Sequence, residues 1–319
     1  MLPALVLTAG LGTRLDPLTR LVAKAAVPLG GSTLIERVLD WLRREGVRDV
    51  VLNLHHLPHT ITSVVGDGAH LGMRVRYSWE QPVLGSAGGP RRALPLLDAE
   101  TFFIVNGDTL CDFSLTPMLD AHRRHGADVT LALVANPDPH HYNGLMLDGD
   151  DRVTGWLPKG RATGSWHFIG VQIAHARVFA GLPDGVPAES MSGLYQDLLK
   201  HPGRLRGFRP ASPERSRRDT PFLDVGTPRD YLEAAIALEG VRPMAQRPKA
   251  PGARTIVWPG ATVAESATLE DCVVAGDVTV PAGFEARESV LVPAALVRPG
   301  DAAEIRRGVG VFPFVRSPR

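Results

Sequence analysis

With 319 residues the chain is long enough for one large domain plus a smaller appendage. Lys plus Arg (35) nearly balances Asp plus Glu (34), which argues against a nucleic-acid surface or an anionic membrane as the main partner and favours small-molecule chemistry. The only cysteines, Cys111 and Cys272, are too few for a disulfide framework and lack metal-ligand spacing. The apolar start, Met1 to Leu7, has neither the basic flank of a signal peptide nor the length of a membrane span, so a cytoplasmic location is expected.

The first predicted strand runs through Leu5-Val6-Leu7 into Thr8-Ala9-Gly10-Leu11-Gly12-Thr13-Arg14, with Lys24 following. Glycines let backbone N–H groups close on phosphate oxygens, while Arg14 offers a planar fork and Lys24 a point charge. A tight turn between strand and helix would account for the glycines equally well. Leu15 stands where a dinucleotide fingerprint needs its third glycine, and no Gly-Lys-Ser/Thr follows as in a P-loop.

Leu34, Ile35, Val38, Leu39 and Leu42 then form a helical stripe, with Ser32 as candidate cap and Gly46 as stop, and Val50 to Leu54 reads as a buried strand. The histidines in His55-His56-Leu57-Pro58-His59 match no common zinc spacing and read as loop or surface residues. A strand over Val75 to Trp79 delivers Glu80 and Gln81. Leu84 to Gly89 is a small-residue turn where a flat ring has access to backbone, continuing into a helix through Arg91 to Leu96.

Phe102 to Val105 is an apolar strand ending in Asn106-Gly107-Asp108. That puts Asp108 at a strand's C-terminal end, where open α/β sheets place ligands and where a carboxylate suits Mg²⁺. An Asp that merely turns the chain before a helix at Leu115 to Arg124 is the other reading. Further strands are predicted at Asp128 to Val134 and Trp166 to Ile173, with a hairpin from Tyr142–Leu147 and Arg152–Thr154, and a helix over Ser190 to Lys200. A proline- and charge-rich loop, 210–221, leads to Phe222-Leu223-Asp224-Val225-Gly226-Thr227-Pro228, which delivers a second candidate carboxylate, Asp224, before a helix from Asp230 to Leu238. Past a proline-rich linker, Val257, Val263 and Leu269 recur at six residues, and after a five-residue step Val274, Val280, Ala286 and Val292 do the same. This period suits the flat sides of a parallel β-helix, and an irregular β-rich tail is the alternative.

Taken in order, the Gly10-Leu11-Gly12-Thr13-Arg14 loop, Pro17-Leu18-Thr19, Lys24, the Leu84 to Gly89 turn, Gly107-Asp108 and Asp224-Val225-Gly226-Thr227-Pro228 resemble the signature of the sugar-phosphate nucleotidyltransferase family. The resemblance spans most of residues 1–240, and the tail is similar to the left-handed β-helix that some members append. It implies that a sugar 1-phosphate attacks the α-phosphorus of a nucleoside triphosphate, giving a nucleoside-diphosphate sugar and pyrophosphate, with Mg²⁺ as cofactor. Arg14, Lys24 and Asp108 would be catalytic, and Asp108 and Asp224 would hold the metal. Leu7, Ala9, Gly10, Leu11, Gly12, Thr13, Glu80, Gln81 and Gly88 would bind the nucleotide, and Asn143, Gly144, Lys159 and Gly170 the sugar. The sequence departs from the family pattern at Ala23, which replaces a proline, at Leu157-Pro158-Lys159-Gly160, which lacks the usual Glu-Lys-Pro, and at Phe168, where asparagine is common.

The expected fold is therefore a three-layer, Rossmann-like α/β nucleotidyltransferase domain with a mixed, mostly parallel sheet over residues 1–240. A linker at 241–255 and a short left-handed β-helix-like, hexapeptide-type segment at 256–319 follow, the latter for packing or self-association. Mannose, heptose or N-acetylmuramate 1-phosphates are the expected substrate types; nucleic acid and membrane are not expected partners. Two other classes stay open: a non-catalytic nucleotide-sugar-binding homologue, against which the retained Arg14, Lys24, Asp108 and Asp224 count, and a dinucleotide-dependent enzyme, against which Leu15 counts.

Overall fold

A computed structural model describes residues 1–211, 222–239 and 254–314. Of the expected loop at 210–221 only its first two residues are described, and of the linker at 241–255 only Arg254 and Thr255; the rest of both lies outside the described residues. The chain divides into two compact units, one of Met1–Gly10 and Ile35–Leu223, the other of Leu11–Leu34 and Asp224–Arg319.

The first unit begins with β1 (Ala4–Leu7). After β2 (Pro28–Leu29) and β3 (Ser32–Thr33), which belong to the second unit, come α1 (Leu34–Arg44), β4 (Asp49–Leu54), α2 (Pro58–Val65), β5 (Arg74–Trp79), α3 (Gly85–Leu97) and β6 (Thr101–Asn106). β1 lies between β4 and β6, parallel to both, and β4 pairs parallel with β5. The chain thus steps from β1 to β4 to β5 and returns past its start to β6. Right-handed crossovers then place α1 and α2 on one face and α3 on the other, giving three layers. Leu5, Val51 and Ile104 share one core with Ala87, Ala93 and Leu97 of α3. Strands covered on both faces read as continuous apolar runs, which is why Val50 to Leu54 was legible.

The unit continues through β7 (Thr109–Cys111), α4 (Leu115–His125), β8 (Val129–Ala135), β9 (Gly144–Leu147), β10 (Val153–Leu157), β11 (Trp166–His175), α5 (Arg177–Ala180), α6 (Tyr195–Leu199) and β12 (Leu205–Phe208). β11 runs antiparallel to β6, β8 and β9, β9 and β10 form the expected hairpin, and β12 joins β8 in parallel. In the nine-stranded sheet β1, β4, β5, β6, β8, β9 and β12 therefore point one way and β10 and β11 the other. The sheet is mixed and mostly parallel, a Rossmann-like α/β arrangement.

Several boundaries differ from expectation for physical reasons. Ser32 sits in β3 and does not cap α1. α3 starts at Gly85, six residues before Arg91, and its first turns carry glycines because a Cβ at Gly85, Gly88 or Gly89 would lie 2.6, 2.6 or 2.7 Å from neighbouring groups. β8 begins after Asp128, whose buried carboxylate accepts from Arg177 Nη2 at 2.5 Å and from Arg204 Nε. Pro58 opens α2 where a loop was expected, proline being suited to a helix's first turn. The helix expected over Ser190 to Lys200 is present as a π-helical stretch, Ser190–Leu194, that continues into α6.

The second unit contains β2, β3, the end of β13 (Phe222–Asp224), α7 (Pro228–Glu239) and the strands β14 (Ile256–Val257), β15 (Thr262–Val263), β16 (Thr268–Val274), β17 (Thr279–Val280), β18 (Glu285–Pro293), β19 (Glu304–Arg306) and β20 (Val309–Pro313). Val257 lies beside Val274, Val263 beside Val280, Leu269 beside Ala286 and Val274 beside Leu291, all in parallel pairs. The chain thus stacks on itself every 17 residues, as in the Thr262–Thr279 hydroxyl pair at 3.1 Å. The register puts Leu291, not Val292, over Val274: the last step is five residues, as the earlier one was. Arg254, Asp271 and Glu288 occupy equivalent corners with φ of 59°, 50° and 43°. β20 pairs antiparallel with β18, which covers an edge that parallel strands would otherwise leave open.

Candidate active site

In the second unit the glycine loop folds into short 3₁₀ turns, Thr13–Leu15, Leu18–Arg20 and Lys24–Ala26. Gly12 has φ of 63°, and a Cβ there would lie 2.7 Å from Thr19 Cγ2 and 3.1 Å from Lys24 Cβ. Thr19 Oγ1 also donates to the Gly12 carbonyl at 3.2 Å. Gly12 is thus fixed by fold and packing. Gly10, at the end of the first unit, is exposed; a Cβ there would meet nothing within 4 Å, and its φ is not positive. Among the described residues the amides of Gly10 to Arg14 donate to no backbone carbonyl, which leaves a run of donors for an anion. Ala23 keeps φ of −58°, the value proline would impose, so the departure there leaves the backbone path unchanged.

Arg14 and Asp224 each approach Gly226. A Cβ on Gly226 would lie 3.2 Å from Asp224 Oδ2, 3.4 Å from Arg14 Nη1 and 3.1 Å from Asp230 Oδ2. Asp230 is committed to capping α7: its Oδ2 accepts from the Thr227 amide and hydroxyl, both at 2.8 Å, while Thr227 Oγ1 accepts from the Asp230 amide at 3.2 Å. This is a capping box with Pro228 at the first helical position. The Asp-Val-Gly-Thr-Pro segment therefore combines a carboxylate, a gap for the Arg14 guanidinium and a helix start.

In the first unit, a buried polar chain stitches the C-terminal ends of β1, β4 and β5. Asn53 Oδ1 accepts from the Thr8 amide at 2.6 Å and the Ala9 amide at 3.3 Å, Asn53 Nδ2 donates to Glu80 Oε1 at 2.7 Å, and Glu80 Oε2 accepts from the Leu84 amide at 2.8 Å. Both oxygens of Glu80 are thus engaged within the protein, and Gln81 is the exposed member of the pair. Asn53 was missed in the sequence, although a lone amide in the apolar run Val50-Val51-Leu52-Asn53-Leu54 was a usable signal. His55, read as a loop residue, places Nδ1 2.9 Å from the Glu80 carbonyl.

Gly88 and Gly85 make room for residues 186–189. A Cβ on Gly88 would meet the Val186 carbonyl at 2.6 Å, and the Ala188 carbonyl accepts from the Ala87 and Gly88 amides at 2.8 and 3.2 Å. Gly107 lets β6 close on β1: its amide donates to the Leu7 carbonyl at 3.0 Å, and a Cβ would lie 2.7 Å from Thr8 Cγ2. Asp108 follows, half-buried, with Thr109 Oγ1 3.3 Å from Oδ1.

On the expected sugar side, Gly144 is pressed against Ser165 and Ala162, and Asn143 Oδ1 accepts from the Lys159 amide at 2.9 Å. Asn143 and Lys159 are exposed, and this bond ties the strand start to the 158–160 turn. Gly170, φ 79°, sits under the Asn106 side chain, whose Nδ2 would be 2.8 Å from a Cβ. Tyr142, His167 and Phe222 stack with centroids 4.3 and 5.6 Å apart, and burial pushes the His167 ring below its usual range. Among the described residues, no group of three or more His, Cys, Asp or Glu side chains is placed to hold a metal, and no helix is long and apolar enough to cross a membrane.

The nucleotidyl transferase family profile matches residues 3–160. A mannose-1-phosphate guanylyltransferase of Mycobacterium tuberculosis is 31% identical over 277 residues, covering 86% of this chain and 74% of that protein. A D-glycero-alpha-D-manno-heptose 1-phosphate guanylyltransferase of Aneurinibacillus thermoaerophilus is 29% identical over 242 residues, 74% of this chain and 98% of that one. Among solved structures, HddC from Yersinia pseudotuberculosis, complexed with GMP-PN, superposes with a TM-score of 0.61 at 23% identity, over 74% of this chain and 99% of that one, a likeness of fold. The chain belongs to the nucleotidyl transferase family and is a nucleotidyltransferase.

Proposed function

We propose that this enzyme transfers a nucleotidyl group, guanylyl in the first instance, from a nucleoside triphosphate to a sugar 1-phosphate of mannose or manno-heptose type. The observation that carries the reading is the approach of both Arg14 and Asp224 to Gly226, beside a loop of open amides that also contains Lys24. The identity to two guanylyltransferases, over most of the chain, supports the base and the sugar class.

In this reading a phosphate oxygen of the sugar 1-phosphate attacks the α-phosphorus, the bond to the bridging oxygen breaks, and pyrophosphate leaves. Such a displacement needs alignment and neutralisation of charge more than covalent help. The amides of Gly10 to Thr13 hold the triphosphate; Arg14 neutralises charge on the α-phosphoryl and the leaving pyrophosphate; Lys24 contacts phosphate. Asp108 and Asp224 are each hard oxygen donors of the kind Mg²⁺ takes, and each is proposed as a ligand for it; a bound cation would neutralise phosphate charge. Glu80 acts by fixing Asn53 and the Leu84 turn, leaving exposed Gln81 to read the base with backbone near Gly88. Asn143, Gly144, Lys159 and Gly170 are assigned to the sugar side. The 17-residue stacking is read as a short left-handed β-helix at 256–319 appended to a catalytic part spanning 1–240, and self-association and a cytoplasmic location remain parts of the proposal.

Pyrophosphate release measured over five nucleoside triphosphates and a panel of sugar 1-phosphates with Mg²⁺ tests this. GTP with mannose 1-phosphate or a manno-heptose 1-phosphate is expected to give the highest kcat/KM. No release from any pair, with nucleotide binding retained, would instead favour a non-catalytic nucleotide-sugar binder.

A further inference from the structure

Arg20 has no place in the chemistry above, yet it is among the most heavily bonded side chains of the second unit. Its Nε donates to Asp16 Oδ1 at 2.7 Å and Nη2 to Asp16 Oδ2 at 2.5 Å. Nη1 donates to Asp301 Oδ2 at 2.6 Å and to the Leu296 carbonyl at 2.7 Å, and Nη2 to Asp301 Oδ1 at 2.9 Å. All five N–H groups of the guanidinium are thus used, with Phe312 stacked 5.1 Å below it and only 7% of the side chain exposed. Asp301 Oδ2 also accepts from the Arg298 amide at 2.7 Å, and the Arg20 guanidinium first and this amide second lower the pKa of its carboxyl to about 2.

The partners Leu296, Asp301 and Phe312 belong to the C-terminal strand-rich segment, while Arg20 lies in the phosphate-loop stretch between Arg14 and Lys24. Its neighbour Thr19 packs its methyl against Gly12 and bonds the Gly12 carbonyl. On the other side Leu21 fills the space over Gly276 of the C-terminal segment, at 3.0 Å from a Cβ there. From Asp301 through Arg20 and Thr19 to Gly12 there is one continuous chain of bonded or packed groups.

We infer that the C-terminal segment is a working part of the nucleotide site: through Asp301 it clamps Arg20, a positioning residue that holds the Gly12 to Lys24 loop in its phosphate-accepting shape. This rests on the proposed function in taking that loop as the triphosphate site, and it goes beyond packing or self-association as the segment's role. Lysine cannot replace Arg20, because three donors on one nitrogen cannot make the five bonds that Arg20 spreads over three nitrogens.

The test uses full-length Asp301→Asn, Arg20→Lys and the double variant, with Arg287→Gln as control; Arg287 pairs with Glu270 at 3.0 Å on the same segment but is 78% exposed. The readouts are KM for the triphosphate and for the sugar phosphate, Tm, and amide hydrogen exchange over residues 10–26. Asp301→Asn and Arg20→Lys should each raise the triphosphate KM about tenfold and leave the sugar-phosphate KM within about twofold, the double variant matching the worse single because one contact is lost. Exchange over 10–26 should quicken in both singles and not in the control, with exchange over 256–293 unchanged. Unaltered exchange over 10–26 in Asp301→Asn overturns the clamp even if the enzyme turns out to use other substrates. Additive effects, or both KM values and Tm moving together, also overturn it. A wild-type protein that binds no triphosphate removes the functional reading, and the exchange result still decides the clamp.

Discussion

Gly10 and Gly12 look alike in the sequence, but the structure gives them different work, and alanine at each separates the two. At Gly12 a methyl must adopt φ of 63° and approach Thr19 Cγ2 to 2.7 Å. The left-handed backbone costs an L-residue about 1–2 kcal/mol, and overpacking adds about 1–3 kcal/mol. Gly12→Ala should thus lose about 2–5 kcal/mol, a fall in Tm of about 3–8 °C for a chain of this size. Adding Thr19→Ser removes the offending methyl, keeps the hydroxyl that bonds the Gly12 carbonyl, and should recover the packing part, about 1–3 kcal/mol, but not the backbone part. At Gly10 a methyl meets nothing within 4 Å and needs no unusual φ. Gly10→Ala should leave Tm within about 2 °C but raise the triphosphate KM about tenfold, about 1.4 kcal/mol, by blocking approach to the loop amides. Thermal melts and initial-rate kinetics on the four proteins measure this. A Gly10→Ala enzyme with wild-type nucleotide KM would refute the idea that the exposed side of the loop receives the triphosphate.

Asp108→Asn should abolish turnover with Tm unchanged; wild-type rates would remove the metal role given to Asp108. Glu80→Gln should lower stability by about 1–3 kcal/mol, because the new amide faces the Asn53 Nδ2 and Leu84 N–H donors and leaves a buried group unsatisfied. Its base selectivity should stay that of the wild type, and a switch in preferred triphosphate would mean that Glu80 reads the base after all. His122, 2.8 Å from Thr130 Oγ1, is pushed down to about 4 chiefly by burial and next by His175. Its neutral ring therefore contributes stability that is full above the unfolded value of about 6.5 and lost as pH falls from there through about 4, up to about 3 kcal/mol. Urea melts across that window should steepen with acid for the wild type and less for His122→Gln, and equal slopes would discount the residue.

The sequence alone determined the residue kinds and their order. Apolar runs such as Val50 to Leu54 and Phe102 to Val105 marked strands buried on both faces, and the spaced Gly-x-Gly-Thr-Arg, Gly-Asp and Asp-Val-Gly-Thr-Pro pieces carried the family resemblance. These are local signals, since period and turn chemistry depend on near neighbours. What only the tertiary structure decided involves groups distant in the chain. Glu80 became internal because Asn53 and the Leu84 amide occupy both its oxygens, and Gly226 acquired a reason to be glycine from Arg14 and Asp224. The stack of the C-terminal strands was readable as a period, but its register, with Leu291 over Val274, was set by corners at Arg254, Asp271 and Glu288 that no hydropathy pattern marks. The bond between Arg20 and Asp301 joins residues 281 apart, and neither charge announces the other in the sequence. Pairing of that kind exists only once the backbone has brought the two together.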